Sequence, residues 1–145
     1  MPRYVPILKA KPAEIVALRE AGSPERRGMQ PLVELLSSAD ETDPATAESD
    51  LQTQVRKIRD AWGKQQPIAL DAVYLPEGLP LGGGLLAPEA ISALAGGDLL
   101  YIPVSRLNDD PAVTAAVARV IVGDGRGVVL RIGGDDLQED ADDIN

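Results

Sequence analysis

The 145-residue chain has no histidine and no cysteine. Without cysteine it has no disulfide, no thiolate nucleophile and no soft metal site. Without histidine it has no serine–histidine triad, no histidine general base and none of the usual zinc sites. A bound cation would have to be a hard one held by oxygens, such as magnesium or calcium, and no zinc, haem or nucleotide-cofactor signature is present. Aromatic residues make up only 3%, too few for the stacking platforms that hold single-stranded nucleic acid. No apolar run approaches 18 residues, so no membrane span is expected. The opening MPRYVPILKAKP has a short apolar run cut by Pro6 and Lys9. A signal peptide is therefore not expected, and the cytoplasm is the expected location.

The net charge of −9 is concentrated at one end. Asp135 to Asn145 holds six acids and no base. Without that segment the balance is 14 basic against 17 acidic residues. The body of the chain is nearly neutral and has no basic stripe to follow a phosphate backbone, so direct nucleic-acid binding is not expected.

What the chain does have is a repeated alternation of apolar strand and amphipathic helix. Apolar runs begin near residues 4, 31, 67, 99 and 127, a spacing that suits the βαβ unit. They are near-continuous rather than alternating, as expected of a parallel sheet covered by helices. Pro12 opens a first helix with Ile15 and Leu18 on one face, and Gly22 with Pro24 is expected to end it. The clearest periodicity is Leu51, Val55, Ile58 and Trp62, stopped by Gly63, with Trp62 expected in the core. Pro88 starts a third helix with Ile91 and Leu94 inward. Asp110 caps a fourth, whose inner face is Val113, Val117, Val120 and Ile121. Asp135-Asp136-Leu137 reads as the opening of a fifth, with acids at the positive end of its dipole.

This α/β pattern over residues 1–145 fits either an open doubly wound sheet or the first strands of a closed barrel. An open sheet is normally finished by a C-terminal helix over its last strand, whereas here the chain stops within the start of that helix. A (βα)8 barrel needs about 250 residues. The favoured expectation is therefore the N-terminal part of a TIM-type barrel.

The motifs YVPILKAKPAEIVALRE, PLVELL and a helix ending in Trp62 before PIALDAVYL resemble the beta protein family, known from T4-type bacteriophage and from bacterial genomes. The likeness runs in order from Tyr4 to Arg131. It implies a barrel larger than this chain, in a phage-associated or antiviral-defence setting, and implies no particular reaction.

In a barrel, polar residues at the C-terminal ends of strands face the mouth where sites form. Lys9, Glu34, Asp71 and Arg131 each interrupt or end an apolar run, where a charge is costly unless paired or solvated. They are expected to form a ring of two cations and two carboxylates. In a functional reading, Glu34 and Asp71 are acid and base or hold Mg2+, while Lys9 and Arg131 clamp an anion. Lys9 is alternatively an imine-forming amine. Arg106, following the fourth strand, is a further substrate-binding candidate. In the structural reading, the charges compensate one another as an ion-pair network. Gly82-Gly83-Gly84 lacks the Lys-Ser/Thr of a P-loop and reads as a connection.

Three functions fit these features. One is a barrel acting through a protein partner. A second is a hydrolase-like acid/base or metal-assisted enzyme acting on an anionic substrate such as a phosphoester. A third is a half-barrel that homo-oligomerises to cover its edges.

Overall fold

A computed structural model describes residues 4–38, 43–76 and 78–133. Five short strands are separated by helices, two between the first pair of strands and one between each later pair: β1 Ile7–Lys9, α1 Pro12–Glu20, α2 Ser23–Arg27, β2 Leu32–Glu34, α3 Pro44–Trp62, β3 Ile68–Asp71, α4 Ala87–Ala95, β4 Tyr101–Ser105, α5 Pro111–Asp124 and β5 Val129–Leu130. All strands pair in parallel, in the order β1-β2-β3-β4-β5. The sheet is open among the described residues: β1 and β5 are its edges, and it does not close into a barrel. The expected fifth helix at Asp135-Asp136-Leu137 lies outside the described residues.

The helices begin where the side-chain chemistry directs them. In α3 the Asp43 carboxylate accepts from the Thr46 N–H at 3.0 Å, and Pro44 occupies the first turn, where a missing N–H costs nothing. Leu51, Val55, Ile58 and Trp62 are all buried on one face. Asp110 caps α5 by accepting from Ala112 N–H at 2.8 Å. The buried face of α5 is Ala116, Val117 and Val120, with Val113 and Ile121 half-buried. Small Ala116 is fully buried on that face.

The first helix ends at Glu20, just before Gly22 and Pro24 as expected, but a short further helix, α2, follows at once. Pro24 lies in the first turn of α2, followed by Glu25 and ending with Arg26 and Arg27. That charge order suits the helix dipole. Arg26 then binds the C-terminal carbonyls of two helices at once. Its Nε donates to Ala21 at 2.8 Å, and Nη2 donates to Leu18 at 3.0 Å and Ala61 at 3.1 Å. Nη1 donates to the Trp62 carbonyl. The guanidinium carbon also lies 4.5 Å from the centre of the Trp62 ring, within cation–π range.

Sequential neighbours joined by right-handed crossovers carry their helices on the same face of a sheet. The packing agrees. One large core joins Leu18 of α1, Leu51, Val55 and Ile58 of α3, Ile91 of α4 and Val120 of α5 to Val33, Ile68, Leu70 and Tyr101 of the sheet. The opposite, inner face carries a second cluster of strand residues only: Leu32, Ala69, Ile102 and Val104, with Val129 against them. At the β5 edge, Val128, Leu130 and Ile132 are exposed.

Candidate functional site

Strand parity and register together build a charged cluster at one end of the inner face. Lys9 stands level with Glu34, and Glu34 with Asp71, across β1, β2 and β3. Residues at one level of a parallel sheet point to one face, so Glu34 and Asp71 emerge just beyond Leu32 and Ala69. Both carboxylates are buried, at 8% and 1% exposure. Charges so placed need partners.

Two arginines supply them. Arg106, one residue past β4, grips Asp71 with both terminal nitrogens: Nη1 donates to Oδ1 at 2.8 Å and Nη2 donates to Oδ2. Arg131, one residue past β5, donates from Nη1 to Asp71 Oδ2 at 2.8 Å and to Glu34 Oε2 at 2.9 Å. The backbone N–H of Val73 adds a bond to Asp71 Oδ1 at 3.1 Å. Asp71 therefore accepts four hydrogen bonds, two on each oxygen, which fills the lone-pair sites of a carboxylate. The cluster of Glu34, Asp71, Arg106 and Arg131 is neutral in sum. Hydrogen bonding to Asp71 holds the Arg106 guanidinium above its ordinary pKa against the opposing effect of burial. Burial also pulls Arg131 down, but its bonds to Glu34 and Asp71 leave it raised.

Lys9 does not join this ring. Its side chain is exposed, with Nζ 5.7 Å from the centre of the Tyr74 ring. Arg106 occupies the place expected for it. The physical reason is reach and shape: a planar fork meets a carboxylate through two bonds at once, whereas an ammonium offers a point charge. Arg106 was legible as the first charge after an apolar strand, the same offset that marks Arg131. Asp110, capping α5, is not part of the cluster, and Gly82–Gly84 forms a single 3-10 turn. Among the described residues no third acidic side chain joins Glu34 and Asp71 in a metal-holding group.

Two further side chains shape the site without having been singled out as site residues. Gln54 of α3 accepts from Leu36 N–H at 2.6 Å and donates back to the Leu36 carbonyl. It thereby fixes the chain as it leaves β2 two residues after Glu34. Tyr101 of β4 is 1% exposed. Burial first, then the charges of Asp71 and Asp124, push its hydroxyl far above the ordinary tyrosine range, so it stays protonated.

A family model described as Beta protein matches residues 4–145. No curated protein and no solved structure matches the chain. Among the described residues no helix is long and apolar enough to cross a membrane.

Proposed function

The chain belongs to the beta protein family, and we propose that it acts by binding a protein partner in a phage-associated or antiviral-defence setting, not by chemistry at Glu34 and Asp71. The observation that carries this reading is the saturation of Asp71. A carboxylate whose four acceptor positions are held by two guanidinium groups and a backbone N–H has no lone pair left for a substrate proton or a metal. The cluster is then a rigid, neutral floor.

The partner-facing groups are the cations on its rim. Arg131 uses only Nη1 for its two carboxylates, and its Nε and Nη2 have no acceptor among the described residues. Lys9 stands exposed beside Tyr74. Two cations with an aromatic ring suit an acidic side chain on a partner. In this reading the five parallel strands and the helices between them are the N-terminal part of a TIM-type barrel, and the rim is part of its mouth. The sequential strand order and the one-sided helix layer support that architecture.

Paired affinity capture from host extract tests the reading, with the wild type and Lys9→Glu as baits. Lys9 makes no bond to the cluster, so the variant stays folded. A partner retained by the wild type and lost by Lys9→Glu is expected; capture that is equal for both, or absent for both, refutes it.

One observation favours the enzymatic alternative on an anionic substrate: Glu34 Oε1 takes no donor among the described residues. Phosphoester turnover in the presence of Mg2+ that disappears in Glu34→Gln at unchanged melting temperature is the expected result of that reading.

A further inference from the structure

We propose that the cavity between the C-terminal ends of β3 and β4 and the first turns of α4 and α5 binds a primary ammonium ion on a small apolar body, the size of a branched five-carbon amine. The cavity has a volume of about 130 Å3, and Leu70, Leu75, Val104 and Val113 are among its apolar walls. Apolar cavities of about 150 Å3 admit benzene. A hydrated metal ion gains nothing from such walls and gives up its water to enter them. Among the described residues no third acidic side chain gathers there to hold one. The body of the ligand is therefore apolar.

The charge on the lining sets the sign of its head group. Two carboxylates, Asp71 and Asp109, line the cavity against one guanidinium, that of Arg106. Asp71 belongs to the cluster with Glu34, Arg106 and Arg131, which is neutral in sum. Asp109 stands outside that balance. It forms no ion pair among the described residues, and its hydrogen bonds fall on one oxygen. Oδ2 accepts from the Arg106 backbone N–H at 2.8 Å and from the Ser105 hydroxyl at 3.4 Å, whereas Oδ1 takes no donor among the described residues. Asp109 is half-buried. It leaves one uncompensated negative charge at an apolar cavity, where a cation that brings N–H donors is stabilised.

Tyr101 is the second group that points to a ligand. It is 1% exposed and lines the cavity, and its hydroxyl has no hydrogen-bond partner among the described residues. Buried polar groups are seldom left so. Burial and then the charges of Asp71 and Asp124 keep the hydroxyl protonated, so it offers lone pairs to an N–H donor. The influence of those two acids also marks its surroundings as negative in potential. A primary ammonium carries three N–H donors. A neutral alcohol lacks the charge, and a carboxylate brings no donor and is repelled. The site is separate from the Lys9 and Arg131 rim and does not depend on the partner-binding reading.

The test is calorimetric and NMR titration of the full chain, near neutral pH, with three probes of one shape: isopentylamine, isopentyl alcohol and isovalerate. Saturable amine binding is expected, about tenfold tighter than the alcohol, the margin of a charge-assisted hydrogen bond over a neutral one. Isovalerate is expected to be the weakest of the three. Asp109→Asn keeps an oxygen to accept from Arg106 and Ser105 and removes the charge. It is expected to weaken the amine about tenfold and to leave the alcohol unchanged. Tyr101→Phe is expected to weaken the amine by roughly threefold to tenfold. Val113→Trp, at a half-buried position, fills the cavity and is expected to abolish binding of all three; its result and the comparison of head groups stand even if the other variants fail to fold. The proposal is overturned if the amine does not bind saturably, or if the alcohol or isovalerate binds as tightly. It is equally overturned if the amine binds Asp109→Asn or Val113→Trp as well as the wild type.

Discussion

Asp71→Asn leaves the side-chain volume almost unchanged and removes one charge, so its effect reads the electrostatics of the cluster directly. The amide keeps one oxygen and turns an NH2 toward guanidinium donors. On whichever side that NH2 falls, two of the four bonds to the carboxylate are lost. Breaking a fully buried ion pair from one side costs about 3–5 kcal/mol. Here the side chains of Arg106 and Arg131 are 28% and 31% exposed, so water takes up part of what Asp71 gave them. The lower end applies, about 3 kcal/mol. For a chain of this length that lowers the melting temperature by roughly 6–12 °C. Scanning calorimetry and urea unfolding measure it. A double-mutant cycle with Arg131→Met separates the Asp71–Arg131 term from the rest, with a coupling of about 1–2 kcal/mol expected. A loss below about 1 kcal/mol would refute the buried-network account. If such a near-native variant also lost a catalytic activity, Asp71 would belong to the acid/base reading.

The remaining predictions concern groups outside that pair. Arg26→Met removes the donors to the carbonyls of α1 and α3 while keeping much of the packing on Trp62. A loss of about 2–3 kcal/mol in urea unfolding is expected, and Arg26→Lys should recover less than half of it because an ammonium lacks the fork. Tyr101 has a raised folded-state pKa, and an unfolded tyrosine ionises near pH 10. Below that pH both states keep the proton. Above it only the unfolded chain releases the proton, so stability falls by about 1.4 kcal/mol per pH unit. Urea midpoints from pH 9 to 11 should show this slope reduced by that amount in Tyr101→Phe; parallel curves would contradict it. Gln54→Ala should cost about 1–2 kcal/mol and speed hydrogen exchange at Leu36, whose N–H it accepts.

The alternation of strand and helix was legible because Leu51, Val55, Ile58 and Trp62, or Ile68 and Leu70, bury their apolar side chains in one continuous core. Local patterning and tertiary packing there demand the same thing. Glu34, Asp71 and Arg131 stood out because a charge inside or ending an apolar run has to be compensated. Which cation compensates it was not legible. Lys9 lies in register with Glu34, yet its ammonium reaches Tyr74, and the partner of Asp71 comes from Arg106, 35 residues away in sequence. Register is written in the strands, whereas side-chain reach depends on three-dimensional distance and on the shape of the donor. Arg26 escaped notice for a related reason. Its acceptors are backbone carbonyls at Leu18, Ala21, Ala61 and Trp62, and nothing in residue type marks a carbonyl as an acceptor.

The placement of Arg131 one residue beyond β5 ties the charged cluster to the shortest described strand, a two-residue edge element. Edge segments open at a small fraction of the global unfolding free energy, and they open as units. When β5 lifts from β4, Arg131 leaves with it. Asp71 then keeps three of its four donors, and Glu34 loses the guanidinium that neutralised it. The inner face gains a transient unit of negative charge without any change in pH or any bound molecule. The lifetime of the neutral cluster is thus set by the fraying kinetics of one short strand at the edge of the sheet.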